Sequence, residues 1–146
     1  NIKAMNDYDI EETVIRLTDL SSEKTQEMFN TISYNLSIVD TFIDESYQNN
    51  TLFLSFNGGK DCTACLIVVK FYIYCKERSL SYSSFDNYIA FTKEQNDFKL
   101  NNKVRLVYFL RPDTFPEEVE YCYKIANKEN VSLLVLFTDY KSGLYY

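Results

Sequence analysis

From Ser22 to Tyr47 the apolar residues Met28, Ile32, Leu36, Val39, Ile43 and Tyr47 step by four, four, three, four and four. That spacing draws one stripe along an α-helix, with Glu, Lys, Gln and Asp on the other faces. The segment therefore predicts a long amphipathic helix, closed by Asn49-Asn50. Residues 9–18 offer a shorter helix through Ile10, Val14 and Leu17. Thr51 to Phe56 (TLFLSF) is an apolar run of strand length that leads straight into Asn57-Gly58-Gly59. Beyond the glycines, Lys60 to Arg78 is apolar on nearly every face, through Cys62, Cys65, Leu66, Val68, Val69 and Ile73. A helix of that kind lies buried between a sheet and another layer.

Residues 79–103 are rich in Ser and Asn and read as an exposed connection with at most one helical turn, near Phe85 to Phe91. Val104 to Phe109 (VRLVYF) predicts a second strand. Thr114-Phe115-Pro116-Glu117 then has the grammar of a helix start, with Thr114 as N-cap, Pro in the first turn and Glu three residues after the cap. Phe115, Val119, Cys122 and Ala126 supply that helix's stripe, Asn130 ends it, and Val131 to Phe137 (VSLLVLF) is a third strand. Alternation of strands and helices predicts an α/β fold, a three-layer sandwich around a parallel sheet. Residues 1–21 read as an N-terminal extension and 22–146 as one domain. Ser142 to Tyr146 resembles the opening of another helix, so the sheet looks truncated at the C-terminus.

Composition narrows the chemistry. The chain has 146 residues, 46% hydrophobic and 25% charged, enough for one cored domain. Lys and Arg total 15 against 21 for Asp and Glu, a net charge of -6. That balance argues against nucleic acid or an anionic membrane as partner. Histidine is absent, which removes Ser-His and Cys-His nucleophiles and imidazole zinc sites. Four cysteines, at 62, 65, 75 and 122, sit among apolar neighbours and read as reduced core thiols. No secretory leader is visible, and the apolar run Leu66 to Cys75 is short and interrupted by Lys70. The expectation is a cytoplasmic domain without an obligate protein partner. A chain beginning at Asn1 also reads as a piece of a longer protein.

In an open parallel sheet the ligand binds beyond the carboxyl ends of the strands. Those ends carry Ser55 to Asp61, then Arg111-Pro112-Asp113-Thr114, then Thr138-Asp139-Tyr140-Lys141. The first cluster is the informative one. Gly58 and Gly59 let the backbone turn tightly and bring N–H groups close to an anion, and the following helix start adds partial positive charge. Ser55 contributes a hydroxyl and Lys60 an ammonium, a set suited to phosphate. Asp61 is wrongly charged for that task unless it holds Mg²⁺ that bridges phosphates. The spacing is not that of a Walker A loop. Asp113 and Asp139 read first as turn residues and second as nucleotide contacts; Arg111 could reach a phosphate or stay solvated.

The string Ser-Phe-Asn-Gly-Gly-Lys-Asp-Cys-Thr (55–63) resembles the pyrophosphate loop of the adenine-nucleotide alpha-hydrolase superfamily, and most of all that of eukaryotic-type FAD synthetases. Phe115-Pro116-Glu117 supports the same resemblance, which spans residues 22–146. It implies adenylyl transfer from ATP to FMN, giving FAD and pyrophosphate, with Mg²⁺ as cofactor. It implies Asn57 and Asp61 as the catalytic polar pair, with Asp61 on the metal. Ser55, Phe56, Gly58, Gly59, Lys60, Arg111 and Asp113 would contact nucleotide. The family's later Arg- and Asp-rich segment has no counterpart in these residues. Alternatives are a sulfonucleotide reductase or RNA-modifying enzyme on the same fold, or a non-catalytic nucleotide-binding remnant.

Overall fold

The computed structural model describes residues 22–137. Helix α1 runs Ser22–Gln48, strand β1 Phe53–Ser55, α2 Lys60–Glu77, α3 Phe85–Glu94, β2 Arg105–Leu110, α4 Pro116–Glu129 and β3 Leu133–Phe137. The strands form one sheet in the order β1-β2-β3, parallel throughout, with Leu54 opposite Leu106 and Leu106 opposite Leu133. This is the α/β arrangement with a parallel sheet that the alternating pattern predicts. The short helix expected over residues 9–18 lies outside the described residues, as do Asp139 and the helix opening expected from Ser142 to Tyr146.

Side chains alternate across the pleat, so Leu54, Leu106, Tyr108, Leu133 and Val135 share one face and join the core beneath the helices. Phe53, Leu134 and Leu136 lie on the other face and are 41–48% exposed. Three details differ from the sequence pattern. In α1 the buried positions are Thr25, Phe29, Leu36 and Ile43, while Val39 is exposed. Phe29 displaces Met28 from the stripe because its ring packs against Phe71, Phe85 and Tyr88, with centroids 5.5–6.3 Å apart. The segment 79–103 is no exposed connection. It folds as α3, capped by the Ser84 hydroxyl accepting from Asn87 N–H, and buries Tyr88, Phe91, Phe98 and Leu100. Lastly, Phe115 rather than Thr114 is the N-cap of α4, and its ring is 74% exposed. With Pro116 as the first helical residue, the Thr114 hydroxyl falls outside the helix and accepts from Arg111 N–H at 3.0 Å.

The enclosure expected of α2 holds for its second half, where every residue from Lys70 to Cys75 is buried, while Asp61, Ala64 and Cys65 in its first half are exposed. Lys70 is 1% exposed. Its ammonium donates to Glu129 Oε2 at 2.9 Å, Gln95 O at 2.7 Å and Gln95 Oε1 at 3.2 Å, using all three protons to join α2, α4 and the end of α3. A Tyr72 hydroxyl donating to Asp40 and a Lys76–Asp44 ion pair tie α2 to α1. Among the described residues, no helix is long and apolar enough to cross a membrane.

Buried hydroxyls and thiols give the fold a defined alkaline limit. Burial pushes the Cys75 thiol up to about 11 and the Cys122 thiol to about 12, from 9.0. Burial likewise raises Tyr88 and Tyr108 to about 12 from 10.0, with the Glu118 hydrogen bond adding to Tyr108. Because the folded chain holds these protons more tightly, their contribution is fully present below the unfolded values and is lost as pH rises through the folded ones. Lys70, held below 10.5 by burial, acts in the opposite direction, but as a single group. The melting temperature is expected to fall steadily between pH 9 and pH 12. A flat profile in calorimetry across that window would contradict this placement of the groups.

Candidate nucleotide site

The loop after β1 is anchored before it turns. Phe56 N–H donates to Val107 O at 2.9 Å, extending the ladder by one residue, and the Phe56 ring is buried in the core. Any part Phe56 plays in a site therefore falls to its backbone. Gly58 takes φ +82°, a left-handed conformation that disfavours a side chain. A Cβ there would also lie 2.7 Å from Tyr121 Cδ1 on α4. Gly59 differs: its φ is −75°, and a Cβ would meet Asn57 Oδ1 at 2.9 Å. One glycine supplies the turn and the close approach to α4; the other makes room for the Asn57 side chain.

Gly59 is the N-cap of α2 and has no side chain to cap with. Asn57 does that work from two residues upstream, its Oδ1 accepting from Gly59 N–H at 2.9 Å. Cys62 Sγ donates to the same oxygen at 2.9 Å and accepts from Asn57 N–H at 3.4 Å. Thr63 Oγ1 donates to Gly59 O at 2.6 Å. The opening N–H groups of a helix have no partner within it, and their dipoles sum to partial positive charge. Ser55, Lys60 and Asp61 are exposed around this helix start. Cys65 is exposed, so its reading as core packing is corrected; Cys62 is half-buried, packs against the edge of the core and also joins the loop network, and Cys75 and Cys122 are the buried thiols. The Cys62 thiol, in the third helical position, reaches back to the loop while resting against the core.

Across the loop, the carboxyl end of β2 and the start of α4 complete a cavity of about 290 Å³, lined among others by Ser55, Asn57, Phe109, Arg111 and Glu118. Tyr108 OH donates to Glu118 Oε2 at 2.7 Å inside it. Sequence reasoning missed Tyr108 and Glu118; the available signal was the second acid after Phe115-Pro116. Arg111 lines the cavity and lies 3.4 Å from Asp113 Oδ1, both side chains being largely exposed. Asp113 stands outside the lining. The structure thus brings Ser55, Asn57 and Arg111 to one cavity, with Gly58, Gly59, Lys60 and Asp61 on the adjoining loop and helix start.

Among the described residues no group of three His, Cys, Asp or Glu side chains could hold a metal by itself. Asp61 is an exposed carboxylate in the first turn of α2, beside the glycine loop. That donor set fits Mg²⁺ arriving with a nucleotide, which needs only one or two carboxylates besides phosphate oxygens.

The chain is similar to a probable FAD synthase of Schizosaccharomyces pombe, with 29% identity over 122 residues. The match covers 84% of this chain and 40% of that relative's length. No protein-family model matches the chain, and no solved structure matches it.

Proposed function

We propose that this chain carries the ATP-binding portion of an FMN adenylyltransferase. The observation that carries the reading is the Ser55–Asp61 loop: a left-handed glycine, a helix start and an exposed Lys at the carboxyl end of a parallel strand. The similarity to a probable FAD synthase supports it and supplies the substrate class, ATP and FMN. In the reaction an FMN phosphate oxygen attacks the α-phosphorus of ATP in line, and the bond to the β-phosphate oxygen breaks as pyrophosphate leaves. The chain's part is positioning and charge stabilisation. Amides at the start of α2 and the Lys60 ammonium hold the β- and γ-phosphates. Asn57 keeps the loop in shape, and Arg111 offers positive charge from the opposite wall. Asp61 would hold the Mg²⁺ that accompanies ATP, which supplies further charge neutralisation when bound.

Calorimetric titration of Mg-ATP is the direct test. Saturable binding is expected, about tenfold weaker in Asp61→Asn, or about 1.4 kcal/mol, with an unchanged melting temperature. FAD formation from FMN and Mg-ATP, separated by chromatography, tests the chemistry. Absence of any Mg-ATP binding by the folded chain would overturn the reading.

A further inference from the structure

Asn57 and Cys62 grip each other twice. The Cys62 thiol donates to Asn57 Oδ1 at 2.9 Å, and the Asn57 backbone N–H donates to Cys62 Sγ at 3.4 Å. The second acceptor within reach of the thiol proton, Gly59 O, lies farther off at 3.4 Å. Oδ1 is shared with Gly59 N–H, so one carbonyl oxygen receives two donors from the start of α2. In a capping box the third helical residue reaches back to the N-cap with a carboxylate or amide, while the N-cap side chain reaches forward. Here Gly59 has no side chain. The forward reach comes from Asn57 and the backward reach from a thiol at the third helical residue.

We infer that Cys62 is a positioning residue for the phosphate loop, acting through Asn57. The inference rests on the phosphate-loop reading and deepens it. With the thiol in place, Oδ1 is turned onto α2, and the N–H groups of Asn57 and Gly59 are spent inside the loop. Without it, Oδ1 keeps a single donor on a chain segment exposed to solvent. The side chain can then rotate, and a carbonyl oxygen in the mouth of the loop repels the phosphate oxygens the loop would receive. Cys62 is half-buried and also rests against the core, so a serine of nearly the same volume is what separates the hydrogen bond from packing. The absence of a side chain at position 59 serves the same arrangement, since a Cβ there would press on Oδ1 at 2.9 Å.

The test compares Cys62→Ala and Cys62→Ser in the full chain. Serine keeps a donor and an acceptor at nearly the same place; alanine keeps neither. Cys62→Ala is expected to weaken Mg-ATP binding about tenfold, and Cys62→Ser to recover most of that loss, with both variants melting within a few degrees of the parent. A second measurement needs no nucleotide: hydrogen exchange of the Gly59 amide should be slow in the parent and Cys62→Ser and markedly faster in Cys62→Ala. Equal Gly59 exchange in the parent and Cys62→Ala would overturn the inference. So would a serine variant as impaired as alanine, which is the mark of a role in volume alone. If the parent binds no Mg-ATP while Gly59 exchange still responds to Cys62, the phosphate-loop reading fails and the hold of Cys62 on the loop stands.

Discussion

Replacing Lys70 with methionine should destabilise the fold by about 3–5 kcal/mol, the usual cost of removing one partner from a buried ion pair. The side chain is 1% exposed and Glu129 is 0% exposed, so neither charge can turn to water for relief. Glu129 Oε1 already has no hydrogen-bond partner among the described residues, and losing the ammonium would orphan Oε2 as well. The double change Lys70→Met with Glu129→Leu should recover a large part of the loss, because it removes the stranded charge together with its partner. Urea unfolding followed by circular dichroism gives both numbers. A single variant within 1 kcal/mol of the parent would show that the pair is not held as described. The margin matters, since a loss of this size is a large fraction of the ~5–15 kcal/mol that holds an ordinary domain together.

The second large effect is expected at Gly58. A side chain there meets two penalties at once. The left-handed backbone conformation costs roughly 1–2 kcal/mol for a residue with a Cβ, and forcing that carbon to 2.7 Å from the Tyr121 ring costs roughly 1–3 kcal/mol more. Gly58→Ala should therefore lose about 2–5 kcal/mol and, in the fraction that remains folded, lose Mg-ATP binding as the loop is pushed off α4. Gly59→Ala is the contrasting variant. Its φ is ordinary and its obstacle is the tip of the Asn57 side chain, so it should disturb binding more than stability. Thermal melts with calorimetry on both variants decide the matter. If Gly58→Ala melts with the parent and binds Mg-ATP equally well, the loop is not moulded by α4.

What the sequence made legible follows from how local each signal is. Strands β1, β2 and β3 are apolar runs bounded by turn residues, and their parallel pairing follows from the helices between them. The glycine loop was readable because a strand, two glycines and a lysine are adjacent in the chain. Helix α3 was legible only as a single turn because it lies in a Ser- and Asn-rich stretch, and packing of Tyr88 and Phe91 against Phe29 and Phe71 is what gives its apolar residues a common face. Lys70 looked like an interruption of an apolar run, since its partner Glu129 lies on another helix. Within the candidate site, Ser55 to Asp61 stand together in the sequence, whereas Tyr108, Glu118 and Cys62 join it through hydrogen bonds that composition and spacing do not reveal.

The lack of room for a Cβ between Gly58 and Tyr121 also sets the loop close against a helix far along the chain. The Cys122 thiol reinforces it from the same helix, donating a long hydrogen bond of 3.8 Å to Phe56 O. Strand β1, the loop and the start of α2 are contiguous, yet their shape depends on α4 being docked. Thermodynamic linkage then runs both ways. A ligand that prefers the shaped loop prefers the docked helix by the same free energy, and at a hundredfold excess over its dissociation constant it adds about 2.7 kcal/mol to the folded state. On the proposed reading of the loop, its occupancy would thus set how often α4 leaves the sheet, making the cohesion of this domain a function of nucleotide concentration.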